Sequence, residues 1–323
     1  MSDLPRKIAV IGAGDIGRGW AALCASAGWP VSIFDSDGEV LEQALQAVAR
    51  RARALVAFER APHGIVERGL LEFRPGRSLL HAVRDADWVI EAVPEDLQAK
   101  QTAFERIEEV AGPEALLTSS TSGLPPTDIF ARCLAPARCL VTHPLNPPEL
   151  IPLVELVPGD FTSPASMSRA DGYLRALGRM PIALNRAVPG FVVGRIAAAV
   201  WRECIDLVLQ GVINVDDLDR AVSLGPALGW AAAGPHLTYH LAAGDRGVPM
   251  FLRQLLSSFE SWWGTLASWQ KLESEQQHAL IQLVERTYKN KVDMLRLARD
   301  RRLNAMLKAL DESRADAPND AAE

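Results

Sequence analysis

Over the first 185 residues the apolar positions fall into two alternating patterns. Short unbroken runs rich in Ile, Val and Leu are separated by longer stretches in which apolar residues return every three or four positions. A short β-branched run flanked by turn signals predicts a strand buried on both faces, and the longer spacing predicts a helix with one apolar stripe. Strands are expected at residues 8–11, 31–35, 88–93, 116–120 and 139–143, with helices opening after residue 14, over 38–61 and over 97–110. This alternation predicts a parallel sheet covered on both faces. Ligands of such sheets sit beyond the carboxyl ends of the strands, so the polar residues ending these runs are where chemistry is sought first.

Near Pro189 the pattern changes. Residues 191–212 predict a long helix and no clear strand follows. Asn214 with Asp217 reads as the capped start of a helix near 218–224, and Ser274-x-x-Gln277 has the form of a capping box opening the last long helix. Residues 251–269 carry Leu, Phe and Trp on more sides than a monomeric surface helix needs, which suits a domain core or an interface between two copies.

The first strand stops at Gly12-x-Gly14-x-x-Gly17, and Asp35 ends the next strand, 21 positions beyond Gly14. In a strand-turn-helix-strand unit, Gly12 permits the tight turn, Gly14 lets a pyrophosphate approach the backbone, and Gly17 lets helix and strand pack closely. The first amides of the helix face the phosphates. A carboxylate at Asp35 accepts hydrogen bonds from both ribose hydroxyls and repels a 2′-phosphate, so NAD(H) is the expected cofactor rather than NADP. The fold class is therefore α/β: an N-terminal Rossmann-type doubly wound sheet followed by an all-α C-terminal domain. The expected boundaries are 1–188 for the NAD-binding domain, 189–310 for a helical substrate and dimerisation domain, and 311–323 for a polar, acidic, disordered tail.

Composition narrows the function classes. A net charge of −6 gives no reason to expect nucleic-acid binding, and no apolar run is long enough to cross a bilayer. Four cysteines without C-x-x-C spacing read as free thiols in a reducing compartment, and the N-terminus has a strand in place of a signal peptide. A cytoplasmic protein with a small-molecule substrate is expected. No metal site is expected.

The second informative segment runs from Thr142-His143-Pro-Leu-Asn146 through Glu149 to Glu155. If its prolines reverse the chain around Glu149, His143 and Glu155 are equidistant from the turn and meet side by side on flanking strands. Oxidising a secondary alcohol needs a base for the hydroxyl proton, and histidine suits that task when a carboxylate fixes its tautomer. A lone histidine is ordinarily a structural residue; the strand end, the facing glutamate and the upstream NAD site favour the base. Ser119-Ser120-Thr121-Ser122 offers hydroxyls to hold the substrate oxygen, or simply a turn before Pro125.

These motifs resemble the 3-hydroxyacyl-CoA dehydrogenase superfamily, and within it the lambda-crystallin and L-gulonate 3-dehydrogenase branch. The likeness rests on Ile-Gly-Ala-Gly-Asp-Ile-Gly-Arg-Gly-Trp (11–20), Val-Pro-Glu-Asp-Leu (93–97), Ser-Ser-Thr-Ser (119–122), His-Pro-Leu-Asn-Pro-Pro (143–148), Ile-Pro-Leu-Val-Glu-Leu-Val-Pro (151–158) and Gly-Val-Ile-Asn-Val-Asp-Asp-Leu-Asp (211–219). It implies that His143 is the general base, Glu155 its orienting partner and Ser122 a contact to the substrate oxygen. It implies a cofactor held by Gly12, Gly14, Asp15, Ile16, Gly17, Asp35, Glu95 and Lys100. The family writes Gly-Phe-x-x-Asn-Arg where this chain has Gly190-Phe-Val-Val-Gly194-Arg195, and relatives acting on hydroxy acids carry an arginine where this chain has Gly229 before Trp230. Gly194, Gly229 and Trp230 thus mark an altered, less polar substrate pocket. The expected activity is NAD-dependent interconversion of a secondary alcohol, such as a 3-hydroxy acid, and a ketone. The alternatives are reduction of cyclic imines or bulky ketones, action on a 3-hydroxyacyl-CoA with Arg50, Arg51 and Arg53 on the nucleotide phosphates, and a non-catalytic, crystallin-like NAD-binding protein. A homodimer through the helical domain is expected.

Overall fold

The computed structural model describes residues 4–289 and 291–315. The chain divides into two compact units, residues 1–195 and 196–323. The first contains β1 (Ile8–Ile11), α1 (Asp15–Ser26), β2 (Val31–Phe34), α2 (Gly38–Ala57), α3 (His63–Glu72), β3 (Arg74–Pro75), α4 (Leu79–Val83), β4 (Trp88–Glu91), α5 (Leu97–Glu108), β5 (Leu116–Ser119), α6 (Pro126–Ile129), β6 (Cys139–Pro144), β7 (Leu153–Pro158), α7 (Pro164–Ala176) and β8 (Met180–Ala183). The second is helical: the greater part of α8 (Val193–Leu209), then α9 (Val215–Leu224), α10 (Pro226–Leu241), α11 (Gly247–Trp263), α12 (Ser274–Tyr288) and α13 (Val292–Ala315). Among the described residues no helix is long and apolar enough to cross a membrane.

One eight-stranded sheet organises the first unit, in the order β3-β2-β1-β4-β5-β6-β7-β8. Every neighbouring pair is parallel except β6 and β7, which are joined by the proline-rich reversal. The sheet is therefore parallel on each side of a single antiparallel step, which falls at the reversal that the prolines around Glu149 suggest. Successive residues of a strand point to opposite faces, and β1 feeds two cores. Ile8 and Val10 pack with Trp20, Val48 and Leu174, whereas Ala9 and Ile11 pack with Phe104, Ile107 and Ile129. Two tryptophans buried in the first core satisfy their indole N–H groups, Trp20 on Ser120 Oγ at 3.1 Å and Trp88 on Thr118 Oγ1 at 2.9 Å. Burial of such rings is cheap only when that donor finds an acceptor.

Several elements differ from the sequence pattern. The helix expected to reach residue 61 ends at Ala57, because Glu59 takes a left-handed φ of 59° and Pro62 opens a separate helix, α3. The box expected at Ser274 and Gln277 lies one residue earlier. The Glu273 side chain accepts from Gln276 N, while Gln276 Oε1 accepts from Glu273 N at 3.0 Å. That helix is not the last: α13 follows and runs to Ala315, so residues 311–315 of the expected disordered tail are helical. Good helix formers (Leu310, Glu312, Arg314, Ala315) carry it that far; residues 316–323 lie outside the described residues. Asn214 caps α9 through Asp217 N at 2.9 Å, as its spacing suggests.

In the second unit, Val208, Val215 and Leu218 form a small core with Leu283 and Tyr288 against it. The segment after α11 is tied to α8 by Ala267 N on Glu203 Oε2 (2.9 Å) and Trp269 Nε1 on Asp206 Oδ1 (3.1 Å). α10 is kinked at Gly234, whose φ is 73°.

Backbone packs closely on backbone at the glycine turn. A methyl group built on Gly17 would lie 1.9 Å from the Gly12 carbonyl oxygen. Gly17→Ala should therefore destabilise the protein by about 3 kcal/mol, since a clash with backbone cannot be relieved by a rotamer change. Urea unfolding followed by circular dichroism measures it; a change below about 0.5 kcal/mol would show that the turn can yield.

Candidate active site

Strand register brings the polar strand ends to one edge. Phe34, Ile11, Glu91, Ser119 and Val141 lie in a row across β2, β1, β4, β5 and β6. The residues just beyond that row are Asp35, Gly12, Ala92, Ser120 and Thr142, with His143 one step further. At about 4.8 Å per strand the row spans about 19 Å, from the acidic end of β2 to the histidine of β6.

The near half of the edge is a cleft of about 810 Å³ whose lining includes Gly12, Gly14, Asp15, Ile16, Asp35 and Arg106. Gly12 adopts φ 102°, and a methyl there would strike the Ala92 carbonyl at 2.4 Å, so this turn requires glycine. Gly14 is different: nothing lies within 4 Å of a methyl built on it. It is the N-cap of α1 and has no side-chain cap, so the helix terminus meets the cleft as bare backbone. A cradle of backbone amides at a helix N-terminus fits the pyrophosphate of NAD. Asp35 accepts from Ala13 N (2.7 Å) and Asp37 N (3.0 Å). These bonds fix the carboxylate in the lining of the cleft. Arg18, unmarked in the sequence pattern, braces the turn by donating to Ala13 O at 2.7 Å and Val40 O at 3.3 Å.

Glu95 and Lys100 are not in that lining. Lys100 is buried below it, with its ammonium 2.9 Å from Glu91 Oε1, 3.3 Å from Glu95 Oε2 and 3.2 Å from Val93 O. Glu91 escaped sequence analysis because a single carboxylate in an apolar strand carries no spacing signal. It is fully buried and accepts from Lys100, from Val93 N at 2.7 Å and from Ser119 Oγ at 2.5 Å. Burial pushes its carboxyl above the usual range, and the charge and hydrogen bonds of Lys100 pull it back. Glu95 reaches the next loop, where its Oε1 accepts from Thr121 Oγ1 at 2.6 Å and Ser122 N at 2.8 Å.

At the far half of the edge, the antiparallel step sets His143 directly opposite Glu155, and Nδ1 lies 2.7 Å from Glu155 Oε2. An ionised carboxylate only accepts, so Nδ1 carries the hydrogen, and in the neutral imidazole Nε2 keeps its lone pair. Glu155 is fully buried, and its other oxygen accepts from Val192 N (2.9 Å) and Val193 N (3.1 Å) at the start of α8. The preceding residue, Phe191, is held at φ 49°, a left-handed conformation unusual for an aromatic residue. It is fully buried with its ring centroid 5.6 Å from that of His143. Ser122 is exposed, three residues beyond Ser119 of β5, and a methyl on Gly194 would lie 3.6 Å from the Ser122 carbonyl oxygen. The structure thus gathers His143, Glu155, Ser122 and Gly194 in one corner of the first unit. Gly229 and Trp230 belong to the second unit, on α10, where Gly229 faces Thr238 and Trp230 is half-buried.

Of the three arginines of α2, Arg51 is ion-paired with Asp15 and lies 3.5 Å from Glu149 Oε1, and Arg53 pairs with Glu67 at 2.8 Å. Their guanidinium groups are engaged by the protein's own carboxylates, and Arg50 is exposed.

The geometry agrees with comparison against known proteins. The model of the 3-hydroxyacyl-CoA dehydrogenase NAD-binding domain matches residues 7–187, and that of the family's C-terminal domain matches residues 190–282. This chain belongs to the 3-hydroxyacyl-CoA dehydrogenase family and is an NAD-dependent dehydrogenase. Its similar relatives include L-carnitine dehydrogenase of Burkholderia mallei, 40% identical over 80% of each chain. L-carnitine dehydrogenase of a Pseudomonas species is 35% identical over 96% of this chain and 95% of its own. Among solved structures, 5-formyl-3-hydroxy-2-methylpyridine 4-carboxylic acid 5-dehydrogenase, an NAD+-dependent dismutase, superposes with a TM-score of 0.81 at 29% identity, covering 95% of this chain and 98% of that one.

Two substitutions separate cofactor binding from folding. Gly14→Ala places a methyl group in open space, so it should leave the urea midpoint unchanged while weakening NADH binding by about tenfold or more through lost approach to the backbone. Asp35→Ala should narrow the preference for NADH over NADPH by removing the charge that opposes a 2′-phosphate. Titration of both cofactors by fluorescence checks both; equal affinity for NADH and NADPH in the unaltered protein would remove Asp35 from that role.

Proposed function

We propose that this chain oxidises the secondary hydroxyl of a small 3-hydroxy acid to the ketone, with L-carnitine as the substrate. The observation that carries the reaction is the buried His143–Glu155 pair at the carboxyl edge of the sheet. NAD, when bound, accepts the hydride. His143 Nε2 takes the hydroxyl proton as hydride leaves, and Glu155 stabilises the imidazolium through Nδ1–H. Two helix amides keep Glu155 in place, so the imidazole needs no reorganisation during the step. Ser122 contributes its hydroxyl to the substrate oxygen.

The L-carnitine reading is supported by the relatives at 35% and 40% identity. Gly194 supports it too. A trimethylammonium group is bulky and donates no hydrogen bond, which suits a corner that lacks the family's asparagine amide. For Gly229 and Trp230 the same role in substrate choice is proposed on family likeness alone. The L-gulonate-like branch is the second candidate, differing in the substrate and not in the chemistry. Reduction of bulky ketones or cyclic imines draws on the same opening at Gly194.

We also infer a homodimer through the helical unit. Trp262 and Trp263 are more than half exposed, and Tyr239, Phe251, Phe259 and Trp263 line an open apolar groove of about 550 Å³. Exposed aromatic surface of this kind ordinarily meets a partner. Multi-angle light scattering should give twice the chain mass, and a monomer at micromolar concentration would refute the inference. The four free cysteines support a reducing, cytoplasmic compartment, with burial pushing the Cys24 thiol far up.

Initial rates with L-carnitine, L-gulonate, 3-hydroxybutyrate, acetoacetyl-CoA and a cyclic imine test the substrate. L-carnitine should lead in kcat/KM, and a leading rate with any of the others would replace it. His143→Ala should lower kcat for alcohol oxidation by about 10² to 10⁴ with NADH affinity unchanged. Retention of most of the activity would move the catalytic centre away from β6.

A further inference from the structure

We propose that Glu91 is a positioning residue for the reaction: it orders the Thr121–Ser122 loop through two separate hydrogen-bonded routes, neither of which touches substrate. The proposal rests on the assignment of Ser122 to the substrate oxygen made above.

The first route is short. Glu91 Oε2 accepts from Ser119 Oγ at 2.5 Å, and that oxygen in turn accepts from Thr121 N at 3.3 Å. The second runs below the sheet edge. Glu91 Oε1 holds the Lys100 ammonium at 2.9 Å, Lys100 holds Glu95 Oε2 at 3.3 Å, and Glu95 Oε1 accepts from Thr121 Oγ1 and Ser122 N. Both routes start on one carboxylate and meet at Thr121, and the second also holds Ser122 N.

Stability alone does not account for this arrangement. A buried ion pair gains little over apolar side chains of similar volume, because desolvation consumes most of the attraction. A hydrophobic pair at positions 91 and 100 would fill the core as well. Only the charged pair sets a fixed ammonium under Glu95. The Glu95 side chain is 46% exposed, and a carboxylate that open to water is poorly held by surface pairing. Lys100 is 1% exposed and cannot move without leaving Glu91 uncompensated, so it supplies the fixed point from which Glu95 grips the loop.

The test uses the full-length protein loaded with NAD and compares Glu91→Gln, Glu91→Gln with Lys100→Met, and Ser122→Ala. The glutamine of the double variant can still accept from Val93 N and donate to Ser119 Oγ, and no lone ammonium is left buried. Its urea midpoint should accordingly recover relative to Glu91→Gln. A structural role would return with it. A positioning role would not: amide exchange over residues 119–124 should stay about tenfold faster than in the unaltered protein, with exchange over residues 8–11 unchanged. Turnover of L-carnitine should fall about tenfold or more in kcat, as expected when a group contacting the reacting atoms is loosened. Unchanged loop protection in the double variant overturns the proposal whatever the substrate proves to be, and so does a loosened loop with full kcat. Ser122→Ala separates the two ideas: full activity there removes Ser122 from the site, whereas an impaired Ser122→Ala beside a fully active double variant removes Glu91.

Discussion

A carboxylate with no exposure has to find all its compensation inside the protein, and Glu155 finds it in three donors from two places. The imidazole of His143 comes from the neighbouring strand, and the amides of Val192 and Val193 come from the entry to α8. Leaving any of these unpaired would cost more than a typical hydrogen bond contributes. The antiparallel step between β6 and β7, the left-handed Phe191 and the entry of α8 are therefore mutually dependent. The register of one strand pair sets which histidine is oriented.

The sheet edge carries a second buried carboxylate with a different environment. Glu91 is compensated by a buried ammonium, a hydroxyl and an amide, and both it and Lys100 are sealed from water. Glu155 instead faces an imidazole that can exchange a proton. One pair holds its charges still, and in the proposed reaction the other lets one charge appear and disappear. Between them lies the loop of Thr121 and Ser122, tied to the first pair and next to Gly194 beside the second.

Much of this was legible in the chain because it depends on short-range patterns. β-Branched runs marked the strands, and the glycine spacing marked the turn. The proline-rich loop put His143 and Glu155 at equal distances from Glu149, which the strand register reproduces. What escaped depends on tertiary neighbours. Nothing near Glu91 announces that Lys100 will reach it from the next helix, and nothing near Arg51 announces Asp15 and Glu149. The long helix expected to residue 61 was overestimated because Glu59 breaks it through a backbone conformation that its side chain does not advertise. The capping box was misplaced by one position because Glu273 can cap as well as Ser274, and both lie four residues or fewer from a suitable glutamine.

The amides that hold Glu155 also decide where this chain can be divided. By pattern the first domain ends at residue 188, and by compactness the first unit ends at residue 195. Val192 and Val193 lie between those limits, at the head of a helix whose remaining turns belong to the second unit. A fragment ended at residue 188 would keep every strand and still lose two of the three donors to a fully buried charge. A cut after residue 195 would keep the donors but strip away the helix that aligns them. Folding units drawn by contacts and units drawn by electrostatics do not coincide here, and dissection of the protein has to respect the second.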